Sequence, residues 1–213
     1  MTPPKKIDFD HLIKFFVETE KLKTELRHSW TSNPNRQESV AEHSWMLLLF
    51  AHTLIRSLEL AVDELKVMKM LIVHDLAEAI TGDIPAFDHT AREGKYEKEL
   101  EAMKHLLRNL PPQGADYTIK LWEEMEAKST PEAKIAQAID KSEVLLQHLI
   151  SDISTWDSGD YSLGPYNKDE YFDYDPNLRA FKDKLNEMFW QKMESHDKLG
   201  EIPDHHRRRA GKD

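Results

Sequence analysis

The chain has 213 residues, 39% hydrophobic and 32% charged, with 5 Trp, 8 Phe and 6 Tyr, a size and mix that allow one domain with a sizeable core. It has no cysteine, which excludes disulfides and thiolate metal sites and leaves carboxylates and 11 His as metal donors. With 29 Lys and Arg against 39 Asp and Glu the net charge is −10, which disfavours a nucleic-acid polymer as partner; a small anionic substrate stays possible if a metal supplies positive charge.

The longest apolar run, Trp45–Ala51, is far too short to span a bilayer, and MTPPKKIDFD at the start has no apolar leader core. A cytoplasmic protein with no membrane partner is expected. The 7 glycines argue against a fold built on many tight turns, no repeat or low-complexity linker is visible, and apolar spacing is helical almost throughout. The expected class is all-α.

Asp8 can cap a first helix with Phe9, Leu12, Ile13 and Phe16 on one face. LKTELRHSWTSNPNR then loses the period and reads as a helix end running into a loop. Ser39 and Glu42 form a capping box that opens a second helix over roughly Val40–Arg56, with His43 in its first turn and Leu47, Phe50 and Leu54 inward. Asp63 caps a third helix expected to run without interruption to a stop near Gly82.

A fourth helix is expected from about Thr90 to Leu110, ended by Pro111-Pro112, and a fifth over Ala115–Lys128. Thr130-Pro131 opens a sixth to about Ile153. Ser154–Asp175 reads as a long loop of the kind often used as a lid or binding element. Asp175-Pro176 opens the last helix, and the tail HHRRRAGKD reads as mobile. Trp45, Trp122 and Trp190 are expected in the core or an interface; His89, His105 and His148 read as surface or packing residues.

The chemistry concentrates in Met70–Asp83 (MLIVHDLAEAITGD). A charge on an apolar face is costly unless it is paired or binds a metal. On a helix His74 and Asp75 lie about 100° apart and can reach one point, with Glu78 between them in projection. A polar patch explains that pair equally well on its own. His43 stands on the preceding helix, which should pack antiparallel. Asp140, in KIAQAIDKSEVLLQ, is an acid among Ile135, Ala138, Ile139 and Leu146; it reads as a metal ligand or as an ion-pair partner of Lys141 or Lys134.

In that order, His43, His74-Asp75 and Asp140 resemble the H…HD…D signature of the HD-domain metal-dependent phosphohydrolases. The blocks Glu38–Ser44 (ESVAEHS) and His74–Pro85 (HDLAEAITGDIP) resemble the bacterial 5′-deoxynucleotidase group. The similarity runs from Phe9 to about Leu149 and implies a single HD domain over residues 1–213, a helical bundle with its core at about 8–153 and a C-terminal loop, helix and tail at 154–213. It implies His43, His74, Asp75 and Asp140 as ligands of one divalent metal. It also implies Glu78 and Asp83 as catalytic acids, and Arg27, Trp30, Thr81 and Asp83 as substrate contacts. In LRHSW, His28 or the later Arg36 could share the role of Arg27. The donors suit Mn, Co, Zn, Fe or Mg without choosing among them.

The implied activity is removal of the 5′-phosphate from (deoxy)ribonucleoside monophosphates by an activated water, and the implied assembly is a homodimer. Hydrolysis of a nucleoside triphosphate or cyclic nucleotide, or a non-catalytic nucleotide sensor, are the competing expectations. No Cys, G-x-S-x-G elbow or Gly-rich phosphate loop supports a different mechanism.

Overall fold

Helix starts follow the capping residues closely. In the computed structural model, which describes residues 8–212, Asp8 opens α1 (Phe9–Thr19) by accepting from the backbone N–H groups of Asp10 and His11. Met1–Ile7, read above for a leader, and Asp213 lie outside the described residues. A short 3-10 turn, Glu20–Lys23, leads into β1 (Leu26–Trp30), which pairs antiparallel with β2 (Gln37–Ser39). Ser39 then opens α2 (Val40–Ser57) with a complete capping box. Its hydroxyl accepts from the Glu42 N–H at 3.2 Å, and the Glu42 carboxylate accepts from the Ser39 N–H at 3.0 Å.

Asp63 caps α3 (Glu64–Val73), which stops before the His74-Asp75 pair; α4 (Glu78–Thr81) follows and ends at Gly82, whose φ of 75° suits glycine. After it come α5 (Lys95–Leu107), α6 (Pro112–Ala127), and α7 (Pro131–Ile150), whose Thr130 cap accepts from Ala133. The chain ends with α8 (Ser158–Leu163), α9 (Pro176–Ser195) and α10 (Asp204–Ala210). Among the described residues no helix is long and apolar enough to cross a membrane.

The centre of the core is α7. Ala133, Ile135, Ala136, Ala138 and Ile139 are all buried, so this helix is enclosed on most sides. Around them pack Leu47 and Ala51 of α2, Val67, Met70 and Leu71 of α3, and Leu121, Trp122 and Met125 of α6. At about 1.5–3 kcal/mol for each large apolar side chain buried, this layer is the main source of stability. A second cluster, Tyr161, Phe189, Trp190, Met193 and Ile202, fastens α8 and the C-terminal segment to α9.

Several expectations need correcting. The stretch read as helix end and loop contains β1, and β2 follows it directly, a ribbon too short and irregular in register to show alternation. The expected third helix breaks at His74–Ala77, where backbone bonds run from Leu76 N–H to the Val73 carbonyl and from Glu78 N–H to the Asp75 carbonyl, three residues apart rather than four. The fourth helix starts later, at Lys95, after Gly94 in the left-handed region; the fifth starts earlier because Pro112 needs no N–H in a first turn. The 154–175 loop contains α8 and a 3-10 turn over Asp169–Phe172. The tail forms α10, tied down where Arg209 pairs with Asp169. On α1, Phe9, Ile13 and Phe16 share one face as expected, and that face is the outer one, with Phe15 meeting the core; Trp122 and Trp190 are buried as expected, and Trp45 is 63% exposed, outside the core.

The capping box makes a pH-dependent prediction. Bonds from Arg36 and Ser39 hold the Glu42 carboxylate down to about 2, below its ordinary 4.5. A depressed acid contributes its full stabilisation above the unfolded value and loses it as pH falls through the folded one. Denaturant melts of wild type and Glu42→Gln should therefore differ fully at neutral pH and converge as pH falls from 4.5 towards 2. A gap independent of pH would assign the effect to packing.

Candidate active site

Three elements bring the candidate ligands together. The first turn of α2 buries His43 completely, and α7 presents Asp140 and, one turn on, Glu143. The tight turn after α3 directs His74 and Asp75 to the same side. One donor atom from each of His43, His74 and Asp75 lies within 4.8 Å of the others. His74 Nε2 is 2.9 Å from Asp75 Oδ2, and His43 Nε2 is 3.3 Å from Asp140 Oδ1 and 3.9 Å from Asp75 Oδ2. The other Asp140 oxygen pairs with Lys141 at 2.7 Å, so the ion-pair alternative is present alongside the ligand-like approach to His43.

Hydrogen bonds fix which nitrogen of each imidazole faces this point. His43 Nδ1 is 2.6 Å from the Glu143 carboxylate, and His74 Nδ1 is 2.7 Å from the Leu71 carbonyl. Each acceptor calls for an N–H on Nδ1, which leaves Nε2 of the neutral ring as a lone pair. Both lone pairs then point at carboxylates, an arrangement that repels unless a proton or a cation lies between. His43 Nε2 is buried without a hydrogen-bond partner. Burial and the charge of Arg27 disfavour its protonation, yet Glu143 and Asp140 prevail and raise His43 to about 10. Burial opposes charge on Asp75 as well, but His74, Arg27 and His43 hold it well below the usual carboxylate range. Asp140 is held low by Lys141 and His43 against the same desolvation.

The donors present fit a divalent cation. Two imidazole nitrogens and carboxylates of Asp75 and Asp140 are the borderline and hard ligands such ions take, and an orphaned nitrogen marks the focus. Buried Glu78 stands beside this set. Burial, then the charges of Asp75 and Asp83, push its carboxyl well above the ordinary value, opposed by Arg27 and Lys95. Its Oε2 is also without a partner, and Lys95 Nζ lies 3.8 Å from Oε1.

Among the expected substrate contacts, Arg27 is fully within the cluster: Nη1 is 3.1 Å from Asp75 Oδ2 and 3.7 Å from Asp83 Oδ1, and Nε is 3.7 Å from Glu38. Asp83 is fixed by its N–H, which donates to Glu25 at 3.2 Å. The Thr81 hydroxyl donates to the Ala77 carbonyl at 3.3 Å. Trp30 is held through its backbone, the carbonyl accepting from Gln147 Nε2 at 2.6 Å. Of the two alternatives to Arg27, Arg36 pairs with Glu42 at 2.7 Å, and His28 turns to Asp160.

Sequence reading missed Glu38, Lys95, Glu143 and Asp160. Glu143 carried a signal, since a position three after Asp140 shares its helix face. Glu38 lies inside the ESVAEHS block; burial, then Glu143, raise it to about 7. Lys95 and Asp160 are distant in sequence from every motif and carried none. His148, read as a surface or packing residue, faces Asp160 at 3.0 Å.

The family model described as HD domain matches residues 19–180. The 5′-deoxynucleotidase HDDC2 of Danio rerio is 33% identical over 139 residues, 65% of this chain and 68% of the relative. Its Homo sapiens counterpart is 35% identical over 137 residues, 64% of this chain and 66% of the relative. A predicted metal-dependent phosphohydrolase from Magnetospirillum magnetotacticum MS-1 superposes with a TM-score of 0.72 at 28% identity, covering 95% of this chain and 99% of the other. A match of that extent in family model and solved fold leaves one assignment: this all-α chain belongs to the HD-domain family.

Proposed function

We propose that this protein is a phosphomonoesterase that removes the 5′-phosphate from deoxyribonucleoside monophosphates, using one divalent cation held by His43, His74, Asp75 and Asp140. The observation that carries the reading is the pair of imidazoles whose Nδ1 atoms are engaged by Glu143 and Leu71 while both Nε2 atoms face carboxylates. Relatives named 5′-deoxynucleotidases support the choice of substrate. Mn, Co, Zn, Fe and Mg all suit the donors.

When bound, such a cation supplies Lewis-acid charge that polarises a phosphoryl oxygen and acidifies water. Glu78 takes a proton from the attacking water, whose oxygen bonds to phosphorus as the bond from phosphorus to the sugar 5′ oxygen breaks. The departing oxygen takes up a proton, giving inorganic phosphate and a deoxynucleoside. Burial and the charges of Asp75 and Asp83 push Glu78 towards its neutral form, and Arg27 and Lys95 oppose them in favour of the ionised base that this step needs. Arg27, with a planar fork of donors, holds the phosphate, and Asp83 orients that guanidinium at 3.7 Å. Thr81 and Trp30 line the sugar end. A cytoplasmic homodimer completes the proposal, since α1 leaves Phe9, Ile13, Phe16 and Val17 exposed as an apolar stripe.

Asp75→Ala should abolish both metal content by elemental analysis and release of phosphate. Glu78→Gln should keep the metal but lower turnover by about a hundredfold or more. Wild-type turnover in either variant would overturn the reading, and tight nucleotide binding without hydrolysis by the wild type under every metal would favour a sensor. Glu143→Leu should weaken metal affinity by about ten- to a hundredfold in a direct titration, with Glu143→Gln closer to wild type because its amide oxygen still accepts from Nδ1. Equal affinities for all three would remove Glu143 from the metal site. Light scattering that gives the 24.9 kDa of a single chain would remove the homodimer.

A further inference from the structure

Among the buried polar groups that the chemistry above does not use, Asp160 in the 154–175 segment joins the most elements. Asp160, on α8, is enclosed, with one carboxylate oxygen accepting from the Asp157 N–H at 2.9 Å. Two imidazoles from different elements meet the carboxylate: His148 Nε2 of α7 lies 3.0 Å from its other oxygen, and His28 Nε2 of β1 lies between the two, 3.1 Å from one and 3.2 Å from the other. His148 Nδ1 is already 2.7 Å from the Val144 carbonyl, so its Nε2 can donate to Asp160 only as an imidazolium. Burial notwithstanding, bonds from His148 and His28 hold Asp160 well below the usual carboxylate range, and the bond to Asp160 raises His28.

This group could be mistaken for a second cation site, since His28, Asp157 and Asp160 offer donors within 4.8 Å of one another. The oxygens of Asp160 are already filled by a backbone N–H and two rings, and none of its atoms is orphaned. A clamp explains the arrangement better. It also reaches the active site. His28 stands between Arg27 and Trp30, and alternation along a strand sends Arg27 to Asp75 while its neighbour goes to Asp160. The turn of α7 that bears His148 also bears Gln147, which holds the Trp30 carbonyl. The His28 ring meets Phe87 edge-on with centroids 4.8 Å apart, and Phe87 follows Asp83 by four residues. Phe87 lies so close to Gly159 that any Cβ there would enter its ring. Strand β1, the loop after Asp83 and α8 therefore share one packed wall.

We propose that Asp160 is a positioning residue for substrate: by bridging His28 to His148 it fixes β1, and so the nucleoside side of the pocket beside the phosphate site. The proposal rests on the reading above that β1 contacts a deoxynucleoside monophosphate. The role is distinct from metal and phosphate binding, because opening the clamp displaces Trp30 while Arg27 keeps its pairs with Asp75 and Asp83, and His43, His74, Asp75 and Asp140 keep their own supports.

The test uses the full-length, metal-loaded protein and Asp160→Asn. Hydrogen exchange at the Arg27–Trp30 amides measures the clamp, and inhibition by a deoxynucleoside against inhibition by inorganic phosphate measures its consequence. The expected result is faster exchange, deoxynucleoside inhibition weakened by about tenfold or more, and little change in phosphate inhibition or metal affinity. Unchanged exchange, or an unchanged deoxynucleoside constant, overturns the proposal; parallel loss of metal affinity overturns it in favour of a general structural role. If Asp160→Asn does not fold, His148→Phe leaves the α8 cap intact and is judged by the same outcomes. A wild type that no deoxynucleoside inhibits overturns the substrate reading instead, and the exchange rates still decide the clamp.

Discussion

Buried negative charge is the constraint on which the site depends. Glu38, Glu78, Asp140 and Glu143 are all buried, and Asp75 is close to them. Each carboxylate removed from water must be matched by positive charge or take up a proton. The structure shows both responses. Glu38 and Glu78 are pushed upward, towards the neutral acid, while Asp75 and Asp140 are kept ionised by His74, Arg27 and Lys141. A divalent cation would favour the charged form of every one of these groups, which is why the cluster reads as a metal centre rather than an overbuilt ion-pair network. The surrounding apolar layer of α2, α3, α6 and α7 strengthens these interactions by excluding water.

The helices were largely legible because their caps are local chemistry. Asp8, Ser39, Asp63, Thr130 and Asp175 each accept from backbone N–H groups at the start of a helix, as a reading of neighbouring residues anticipates. The break at His74–Ala77 was not legible, since MLIVHDLAEAIT has no glycine or proline and its apolar residues keep a helical period. Tertiary demands decide there: the tighter turn lets His74 and Asp75 reach one point while Trp122 Nε1 donates to the freed His74 carbonyl at 3.1 Å. The β ribbon escaped for a different reason. Its strands are stabilised by pairing with each other and by α7, and neither contact leaves a periodic trace in LRHSW.

Within the site, the residues that carried a signal were those whose chemistry conflicts with an apolar helix, such as His74 and Asp140. Supporting residues gave less. Glu143 could have been found from its helical spacing to Asp140, but Lys95 and Asp160 arrive from segments whose fold relation to the motifs no local pattern encodes. Arg27 is the intermediate case. The family resemblance singled it out, yet its simultaneous approach to Asp75, Asp83 and Glu38 depends on how the ribbon packs over the turn after α3.

The same rule for imidazoles recurs at His43, His74 and His148: Nδ1 is committed to a nearby acceptor and Nε2 is turned towards a carboxylate. What separates a metal site from a clamp is the balance at the other end. His43 Nε2 lacks a hydrogen-bond partner and has acids on more than one side, so the positive charge it calls for is larger than a proton on one ring supplies. Asp160 has one carboxylate, two imidazoles and a backbone N–H, and one imidazolium neutralises it. On the proposed reading the two arrangements use the same side chains for different ends, one concentrating charge for chemistry and the other fastening the strand that faces it.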